Sequence, residues 1–307
     1  MSSTGGGRLA GDRRRVPFAP ADADRLVAFC VAHGSPHDGA LVGRMLRHLT
    51  SDPAGVLAWD DDDGPAVVAT VIDRTVNGAD AANLEILGAR APLGAEAVWD
   101  LVASPGLAFA RGGARRALHL ALYPWLIEGV EETERVRRAR GFAPAYTSYV
   151  MRRAPAAAPL QPLEPGWRWA PVDEARVDEA HAAIGEMFAG AASLSLSPLP
   201  DFRRTVLTGP DVWRALLDGE RLAGLVRVID VRAGEGKVGM LGRMPSYRGR
   251  GLGARLLAEG LRLLAERGAH DVTLDVDSEN ERALSLYRQF GFEVASRTPV
   301  LRIPLRP

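Results

Sequence analysis

Residues 244–254 read Met-Pro-Ser-Tyr-Arg-Gly-Arg-Gly-Leu-Gly-Ala, and this stretch decides the fold of the second half of the chain. Pro245 cannot donate to a sheet ladder, so it predicts the end of the preceding strand. Gly249, Gly251 and Gly253 leave the backbone uncovered, and leucines at helical spacing beyond them predict a helix. The first amides of a helix have no internal partners and lie at the positive end of its dipole. The stretch therefore predicts a cradle for a phosphate-like anion.

Two arginines inside the stretch, Arg248 and Arg250, are expected to add charge-assisted contacts to the same anion. A nucleotide P-loop would need Gly-Lys-Ser/Thr at the helix start, where residues 253–255 are Gly-Ala-Arg. A dinucleotide fingerprint would need G-x-G-x-x-G, whereas the spacing here is G-x-G-x-G. Because Asp275 and Asp277 follow about twenty residues later, a dinucleotide-binding enzyme stays open as an alternative.

Composition excludes several classes of protein. The 307 residues predict about two domains at ~100–200 residues each. The formal net charge is zero, so no global field attracts nucleic acid or an anionic membrane. The single cysteine, Cys30, cannot form an internal disulfide, and no apolar stretch approaches the ~20 residues of a membrane helix. We expect a cytoplasmic protein, monomeric or homodimeric, with no nucleic-acid or membrane partner.

The chain divides into two halves of similar length. Residues 1–15 are Gly/Ser-rich and then basic, which predicts a disordered tail. Residues 153–166 contain four prolines among alanines and predict an extended linker. Residues 16–152 and 167–307 are then the two expected domains.

The two halves share short matches in the same order. Residues 140–142 (Arg-Gly-Phe) parallel residues 290–292 (Phe-Gly-Phe), and residues 86–88 (Ile-Leu-Gly) parallel residues 240–242 (Met-Leu-Gly). The matches recur about 150 residues apart, which indicates an internal duplication.

Hydrophobic spacing and turn residues predict a mixed α/β unit for the second half, in which antiparallel hairpins lead into a β-α-β-α-β core. Asp218-Gly219 has the sequence of a tight hairpin turn. The expected elements are strand 167–170, helix 173–189, strands 212–217, 221–229 and 237–243, helix 251–267, strand 271–276, helix 279–289, and strands 292–295 and 297–303.

Two sequence motifs resemble those of the GCN5-related N-acetyltransferases, the GNAT family, and they occur in the same order as in that family. Residues 248–253 match its Arg/Gln-x-x-Gly-x-Gly/Ala motif. Residues 280–287 read Asn-x-x-Ala-x-x-x-Tyr, and a Gly-Phe pair follows at 291–292. The resemblance covers residues 167–305 and reaches the first half through the repeat alone. It implies an α/β fold of two tandem GNAT-like domains, each a mostly antiparallel twisted sheet flanked by helices.

The resemblance implies acetyl-CoA as co-substrate, with no metal. The backbone of Arg243 and Met244 would hold the pantetheine arm, and Asn280 would contact the donor nearby. Tyr287 would place its hydroxyl near the thioester sulfur as the general acid. The pyrophosphate would be held by the amides of Gly249, Arg250, Gly251, Leu252, Gly253 and Ala254.

The general base of this implied reaction is missing from its usual place. Many family members carry a glutamate midway along the strand that ends at the proline, but residues 238–242 contain no carboxylate. Glu235, Glu186 and Asp230 remain substitutes among which the sequence does not choose. We therefore predict that a primary amine attacks acetyl-CoA directly, and we expect the acceptor to be a small molecule.

The first half lacks the donor-handling residues. Counted back from the Gly-Phe pairs, Arg137 stands where Tyr287 stands and Val130 where Asn280 stands. Residues 93–97 contain no arginine and one glycine. The first half is thus predicted to be a degenerate copy that shapes the acceptor side, and Glu85 falls near the usual position of the base.

Plainer roles stay open for each feature. The glycine turn can be a tight connection without a ligand, Tyr287 can fill the core, and Asn280 can belong to a helix start at Ser278-x-x-Glu281. The alternative function is a non-catalytic acetyl-CoA-binding or scaffold protein. The loop at 190–200 is expected to border the acceptor, and a cysteinyl thiol precursor is a minor acceptor option.

Overall fold

The computed structural model describes residues 13–34, 42–43, 45–46, 52–76, 79–154, 163–191, 196–232 and 234–305, with backbone only at 74–76, 79–80, 230 and 232. The chain forms two compact units. The first contains Met1–Tyr146 and Thr298–Pro307, and the second contains Thr147–Arg297.

The first unit is a mostly antiparallel sheet with helices packed on it. Fully buried Leu84, Leu118 and Leu120 belong to its larger hydrophobic core. Its elements are β1 (Arg14–Val16), α1 (Ala23–Ala32), β2 (Val56–Asp61), β3 (Gly64–Val76), β4 (Ala79–Ala89), α2 (Ala95–Ala97, the π-helical Val98–Ala103 and Ser104–Arg111), β5 (Ala117–Ala121), α3 (Val130–Ala139) and the start of β6 (Ala143–Arg153).

The second unit has helices on both faces of its sheet. Its strands run in the order β6, β11, β10, β9, β8, β7. Its elements are β7 (Trp167–Pro171), α4 (Val177–Met187), α5 (Leu199–Thr208), β8 (Val212–Asp218), β9 (Arg221–Arg232), β10 (Glu235–Arg243), α6 (Leu252–Glu266), β11 (Asp271–Asp277), α7 (Glu281–Gln289) and the start of β12 (Glu293–Pro304).

The two faces of this second sheet carry different cores. Leucines of α6 pack with Val272, Leu274 and Val276 of β11, together with Tyr287 of α7. Helices α4 and α5 pack over β7, β8 and β9 on the other face, where Trp213 is buried. Since alternate strand residues point to opposite faces, the odd-numbered residues of β11 lie on the α4 side.

Both units contain a parallel strand pair that separates after four rungs. In the second unit β10 pairs with β11 from Glu235↔Asp271 to Val238↔Leu274. In the first unit β4 pairs with β5 from Ala81↔Ala117 to Leu84↔Leu120. Both strands are displaced by the same number of residues, because 235 − 81 and 271 − 117 are each 154. The repeated rungs agree with the duplication indicated by the sequence.

The compact units differ from the predicted domain bounds at their edges. One continuous strand, β12, replaces the two strands predicted at 292–295 and 297–303. Its residues 300–304 pair with β5, so Thr298–Pro307 belongs to the first unit rather than to the second half of the chain. Residues 14–16 of the predicted tail form β1, whereas residues 1–12 of the tail and residues 155–162 of the linker lie outside the described residues.

One predicted hairpin forms with a shifted turn, and one helix is present that the sequence did not predict. The hairpin between β8 and β9 forms, but Asp218 pairs with Arg221, so Gly219 and Glu220 make the turn. Helix α5 was not predicted, because Leu199–Thr208 follows a loop rich in serine and proline. Of that loop, residues 192–195 lie outside the described residues.

Candidate active site

The glycine-rich turn between β10 and α6 leaves its backbone open. Gly249 and Gly251 have φ angles of +80° and +70°, in the left-handed region that favours glycine. A Cβ added at either residue would meet no atom within 4 Å. Gly251 is the N-cap of α6, so the turn delivers the chain directly to a helix start.

The backbone N–H groups of Gly249 to Gly253 have no hydrogen-bond acceptor among the described residues. The flanking amides are occupied, because Arg248 N–H donates to the Pro245 carbonyl at 3.2 Å and Ala254 N–H donates to the Gly251 carbonyl at 3.2 Å. Five successive open amides at the positive end of a helix dipole are an arrangement that can accept an anion. Ala254, predicted to belong to the set, is already bonded within the helix start.

The backbone of Met244 is not available to a ligand in the way the sequence reading expects. Its N–H donates to the Ala223 carbonyl at 2.9 Å, and its carbonyl accepts from Tyr247 N–H at 3.0 Å. In an antiparallel ladder, hydrogen-bonded and open pairs alternate. Because Met244 is bonded to β9, Arg243 and Leu241 turn their backbone groups away from β9 toward β11.

Beyond Val238, β10 is no longer paired with β11, and we call the space beside its unpaired edge the gap. The rungs from β10 to β11 end at Val238, and a bulge lies between Val238 and Met240. Strand β11 continues to Asp277 without pairing to the rest of β10. The outward-facing N–H groups of Leu241 and Arg243 can therefore donate sheet-like hydrogen bonds to a ligand in the gap, and their C=O groups can accept them.

Three arginines surround this gap and the open amides. Arg243 is half-buried, and burial together with the nearby charges of Arg248 and Arg282 lowers its pKa. None of the three has a carboxylate partner among the described residues. Like charges gathered without counter-ions favour a polyanionic ligand, since the ligand would relieve their repulsion.

Arg250 has a different environment from Arg248. Its guanidinium lies 5.4 Å from the Trp167 ring and 5.5 Å from the Tyr247 ring, and 3.8 Å from the Asp218 carboxylate. Tyr247 also donates its hydroxyl to Asp218 at 3.1 Å. These contacts tie the turn to β7 and β8, so Arg250 holds the cradle in place while Arg248 stays exposed.

Tyr287 lies on α7 and is buried against the α6 core. Its ring packs edge-on to Phe292 with centroids 6.1 Å apart. Burial raises the pKa of its hydroxyl to about 12, so the group is protonated at neutral pH. The hydroxyl has no hydrogen-bond partner among the described residues. A buried, protonated and unpartnered hydroxyl is suited to donate a proton to a developing anion.

Asn280 is the N-cap of α7. Its side-chain oxygen accepts from Ala283 N–H at 3.2 Å, so the predicted capping role is real, although it is filled by Asn280 and not by Ser278. The side chain is exposed, and its amino group has no partner in the described part of the chain. One end of the carboxamide can thus cap the helix while the other remains free to contact a ligand.

The two roles of Asn280 can be separated by a pair of variants. Asn280→Asp keeps the capping oxygen and removes the amide donor, whereas Asn280→Ala removes both. We expect the KM for acetyl-CoA to rise about tenfold in both, the loss of one hydrogen bond. Only the alanine variant should lose stability, by about 1 kcal/mol in denaturant unfolding. A wild-type KM in Asn280→Asp would show that the residue only caps.

Of the three candidate bases, only Glu235 can be placed away from the gap. Glu235 stands at the start of β10 and pairs with Arg152 at 3.4 Å, several residues from the open end of the strand. Glu186 is exposed near the end of α4. The side chain of Asp230 lies outside the described residues.

The corresponding part of the first unit is filled by its own chain. Leu93 forms a bridge with Ile127, and both residues are buried. Arg137, which replaces the tyrosine, is fully buried; it stacks 4.7 Å from the Trp99 ring and donates to the Ala95 carbonyl at 3.1 Å. Burial lowers the pKa of Arg137 to about 10.

Glu85 is equally occupied in the first unit. Only 5% of it is exposed, and its carboxylate accepts from the Tyr123 hydroxyl at 2.7 Å and from the Asn83 amide at 3.3 Å. A carboxylate bonded in this way is a buried structural group.

Two residues of the candidate site, Leu241 and Arg282, were not predicted from the sequence. Leu241 could not be found, because its open backbone depends on the pairing parity of β10. Arg282 did leave a signal: it lies in the first turn of α7, where a helix dipole disfavours a cation. An unfavourable charge at a helix start near a predicted anion site indicates a role for that charge.

Comparison with known proteins places this geometry in a family. Residues 182–292 match the sequence profile described as the Acetyltransferase (GNAT) family, and they include β10, the open turn, α6 and α7. The second unit is thus similar to the GNAT family over these residues. A tandem GNAT protein from the clavulanic acid biosynthesis pathway has the same overall fold, with a TM-score of 0.70 and 14% identity over 96% of this chain and 99% of that one. The predicted tandem GNAT fold is therefore confirmed.

Curated relatives of this chain share only part of their length with it. A mycothiol acetyltransferase of Clavibacter sepedonicus is 47% identical over 76 residues, 25% of each chain. A mycothiol acetyltransferase of Catenulispora acidiphila is 32% identical over 164 residues, 50% of this chain and 52% of that protein. The matched part thus spans about a quarter to a half of the length of these relatives.

The described residues contain neither grouped metal ligands nor a membrane-spanning helix. In the described ranges, no three His, Cys, Asp or Glu side chains are grouped so as to hold a metal ion. The helices that the structure describes include none with the length and apolar character needed to cross a membrane.

Proposed function

We propose that the second unit transfers an acetyl group from acetyl-CoA to a primary amine of a small-molecule acceptor. The observation that carries this proposal is the run of open amides from Gly249 to Gly253, which begins where β10 and β11 have separated. A phosphate cradle continuous with an open strand edge fits a ligand that has a diphosphate at one end and an amide-containing arm at the other. The match of residues 182–292 to the GNAT family supports the same donor.

The proposed donor pose uses residues on both sides of the gap. The diphosphate would lie on the open amides with Arg248 and Arg282 beside it. The pantetheine arm would bond to the backbone of Leu241 and Arg243, which replaces the predicted contact to Met244. Asn280 would donate its free amide to the same arm.

In the proposed reaction, a neutral acceptor amine attacks the thioester carbonyl carbon. The Arg243 N–H donates to the carbonyl oxygen as it gains charge, an effect commonly worth ~10²–10³-fold. As the carbon–sulfur bond breaks, Tyr287 gives its proton to the thiolate, typically ~10²–10⁴-fold. The ammonium formed by the attack loses its surplus proton and so restores the tyrosine.

We propose that the first unit does not hold the donor. Arg137 and the Leu93–Ile127 bridge fill the region that is open in the second unit. The described residues of its helix start from Ala95 include no glycine-arginine turn. This interpretation retains the first half as a degenerate copy.

The proposal is tested by incubating the full-length protein with acetyl-CoA and an amine library and screening for acetylated products by mass spectrometry. We expect product from at least one amine, together with CoA binding measured by calorimetry. CoA binding without any product would favour the alternative, a non-catalytic acetyl-CoA-binding or scaffold protein. Protection against heat by NAD but not by CoA would favour a dinucleotide-binding enzyme instead.

A second candidate activity is that of the mycothiol acetyltransferases. The 47% identity over 76 residues favours it, although it covers only a quarter of the chain. Including the cysteinyl thiol precursor in the library decides the matter. A kcat/KM for this precursor well above that of every other amine would assign the activity.

The pKa of Tyr287 leads to a prediction for the pH dependence. Burial raises that pKa to about 12, so the proton needed by the thiolate remains in place across neutral and mildly alkaline pH. We expect kcat/KM to rise with pH as the acceptor amine loses its proton, and then to stay level up to about pH 10. A falling limb near pH 8 that disappears in Tyr287→Phe would contradict this assignment.

We also propose a cytoplasmic protein, monomeric or homodimeric, that acts without nucleic acid or membrane. The balanced charge and the single cysteine support this proposal. Cys30 is fully buried, and burial raises the pKa of its thiol to about 12.

A further inference from the structure

The acceptor of the proposed reaction has one face of the second sheet open to it. The donor cradle, α6 and Tyr287 all lie on the face that contains the α6 core. A donor in the gap would occupy that side, so the acceptor must approach the acyl carbon from the α4 face. There α4 and α5 cover β7, β8 and β9 and leave β11 outside their hydrophobic core.

The wall of this approach is apolar. Met187 and Phe188, at the end of α4, lie so close to Gly242 that a Cβ there would be 2.8 Å from the Met187 sulfur and 2.8 Å from the Phe188 ring. Both residues are half-buried and, like Met240, pack against the hydrophobic core under α4 and α5. An acceptor amine that reaches the strand end would therefore carry an apolar group beside it.

The floor of the approach carries a charged pair. Lys237 is the single lysine of the chain, and its Nζ lies 2.5 Å from an Asp275 carboxylate oxygen. Val238 and Leu274 face the α6 core, so their neighbours Lys237 and Asp275 face the acceptor side. Their side chains are 36% and 47% exposed, so both charges remain accessible.

The distance from this pair to the reacting end sets a length for the acceptor. Asp275 follows Leu274, which pairs with Val238, so it is level with Gly239. Gly239 and Arg243 are four rises apart along β10, and one rise is lost at the bulge. Three remaining rises of ~3.3 Å place the pair roughly 10 Å from the Arg243 amide. An extended chain spans that distance in about three residues.

We propose that Lys237 and Asp275 bind the distal polar part of an extended acceptor without selecting the sign of its charge. The acceptor class is a peptide-like primary amine with an apolar group next to the amine and a polar group about three residues away. In the ion pair the two charges balance, so the intact site favours neither a cationic nor an anionic distal group. This inference rests on the proposed acetyl transfer.

The test uses three tripeptides with a free N-terminal amine and an amidated C-terminus: Met-Gly-Lys-amide, Met-Gly-Glu-amide and Met-Gly-Gln-amide. With the wild-type protein we expect kcat/KM values within about twofold of one another. Lys237→Met leaves the carboxylate unpaired and should favour the lysine peptide over the glutamate peptide about three- to fivefold. Asp275→Asn leaves the ammonium unpaired and should favour the glutamate peptide by a similar factor.

Two controls separate specificity from damage to the fold. Asp271→Asn changes a carboxylate on the same strand and face that pairs with Arg152, farther from the gap, and should leave the peptide preference unchanged. A short amine that the wild type acetylates cannot reach the pair, so its kcat/KM should be the same in all three variants. Calorimetry of peptide binding to the CoA-saturated protein reads the preference without turnover.

Shifts of opposite sign in Lys237→Met and Asp275→Asn support the inference. Equal effects on all three peptides, or failure of the wild type to bind any of them, overturn it. Failure of the proposed function would look different, because CoA binding or acetylation of every amine would then be absent as well.

Discussion

Gly251→Val is expected to reduce the affinity for CoA at least about 100-fold. A side chain at φ +70° disfavours the turn, and its atoms would project into the open space above the amides. The loss corresponds to two charge-assisted hydrogen bonds of about 1.5–3 kcal/mol each. Isothermal titration calorimetry with CoA measures the effect directly.

Gly268→Val is the matched control for this variant. Gly268 follows α6 at its other end, has φ +80°, and is equally open around its Cβ position. The two variants should lose similar stability in thermal unfolding, because the backbone strain is the same. Only Gly251→Val should lose CoA affinity. Equal losses of affinity in both would mean that strain, and not the cradle, explains the result.

Tyr287→Phe is expected to lower kcat about 10²–10⁴-fold and to leave CoA affinity unchanged. Phenylalanine keeps the ring that packs on Phe292, so the core is preserved and only the hydroxyl proton is lost. Steady-state kinetics with an acceptor from the amine screen, together with CoA titration, separates the two parameters.

Tyr149→Phe supplies the control for hydroxyl loss. Tyr149 also packs against the α6 core, and Arg297 lies 5.5 Å from its ring. Its variant should retain wild-type kcat. If Tyr287→Phe keeps wild-type kcat as well, Tyr287 is a core residue, and the proton for the thiolate comes from another source.

The anion cradle could be predicted because its causes are local. A proline that ends a strand, glycines at alternate positions and a following apolar stripe are all visible within residues 244–264, and the structure places the open amides where this pattern predicts. The N-cap role of Asn280 was similarly open to prediction from its position before a helix.

The strand contacts could not be predicted in the same way. Whether Met244 or Arg243 faces the gap depends on which residues of β10 bond to β9, and one bulge after Val238 changes that parity. The ion pair of Lys237 and Asp275 requires that β10 and β11 be neighbours, which sequence spacing alone does not establish.

The domain edges depended on long-range pairing. Nothing local in residues 298–304 indicates that this segment pairs with β5, which precedes it by more than 170 positions in the chain. Sequence composition placed the domain boundary at residues 153–166, whereas the two units divide between Tyr146 and Thr147. The assignment of the last strand required its partner to be known.

A crystal structure of the full-length protein with CoA tests the central claim most directly. The account predicts diphosphate oxygens within about 3 Å of the amides from Gly249 to Gly253, with the pantetheine arm bonded to the backbone of Leu241 and Arg243. A diphosphate bound elsewhere, or those amides left unbonded in the complex, would contradict it.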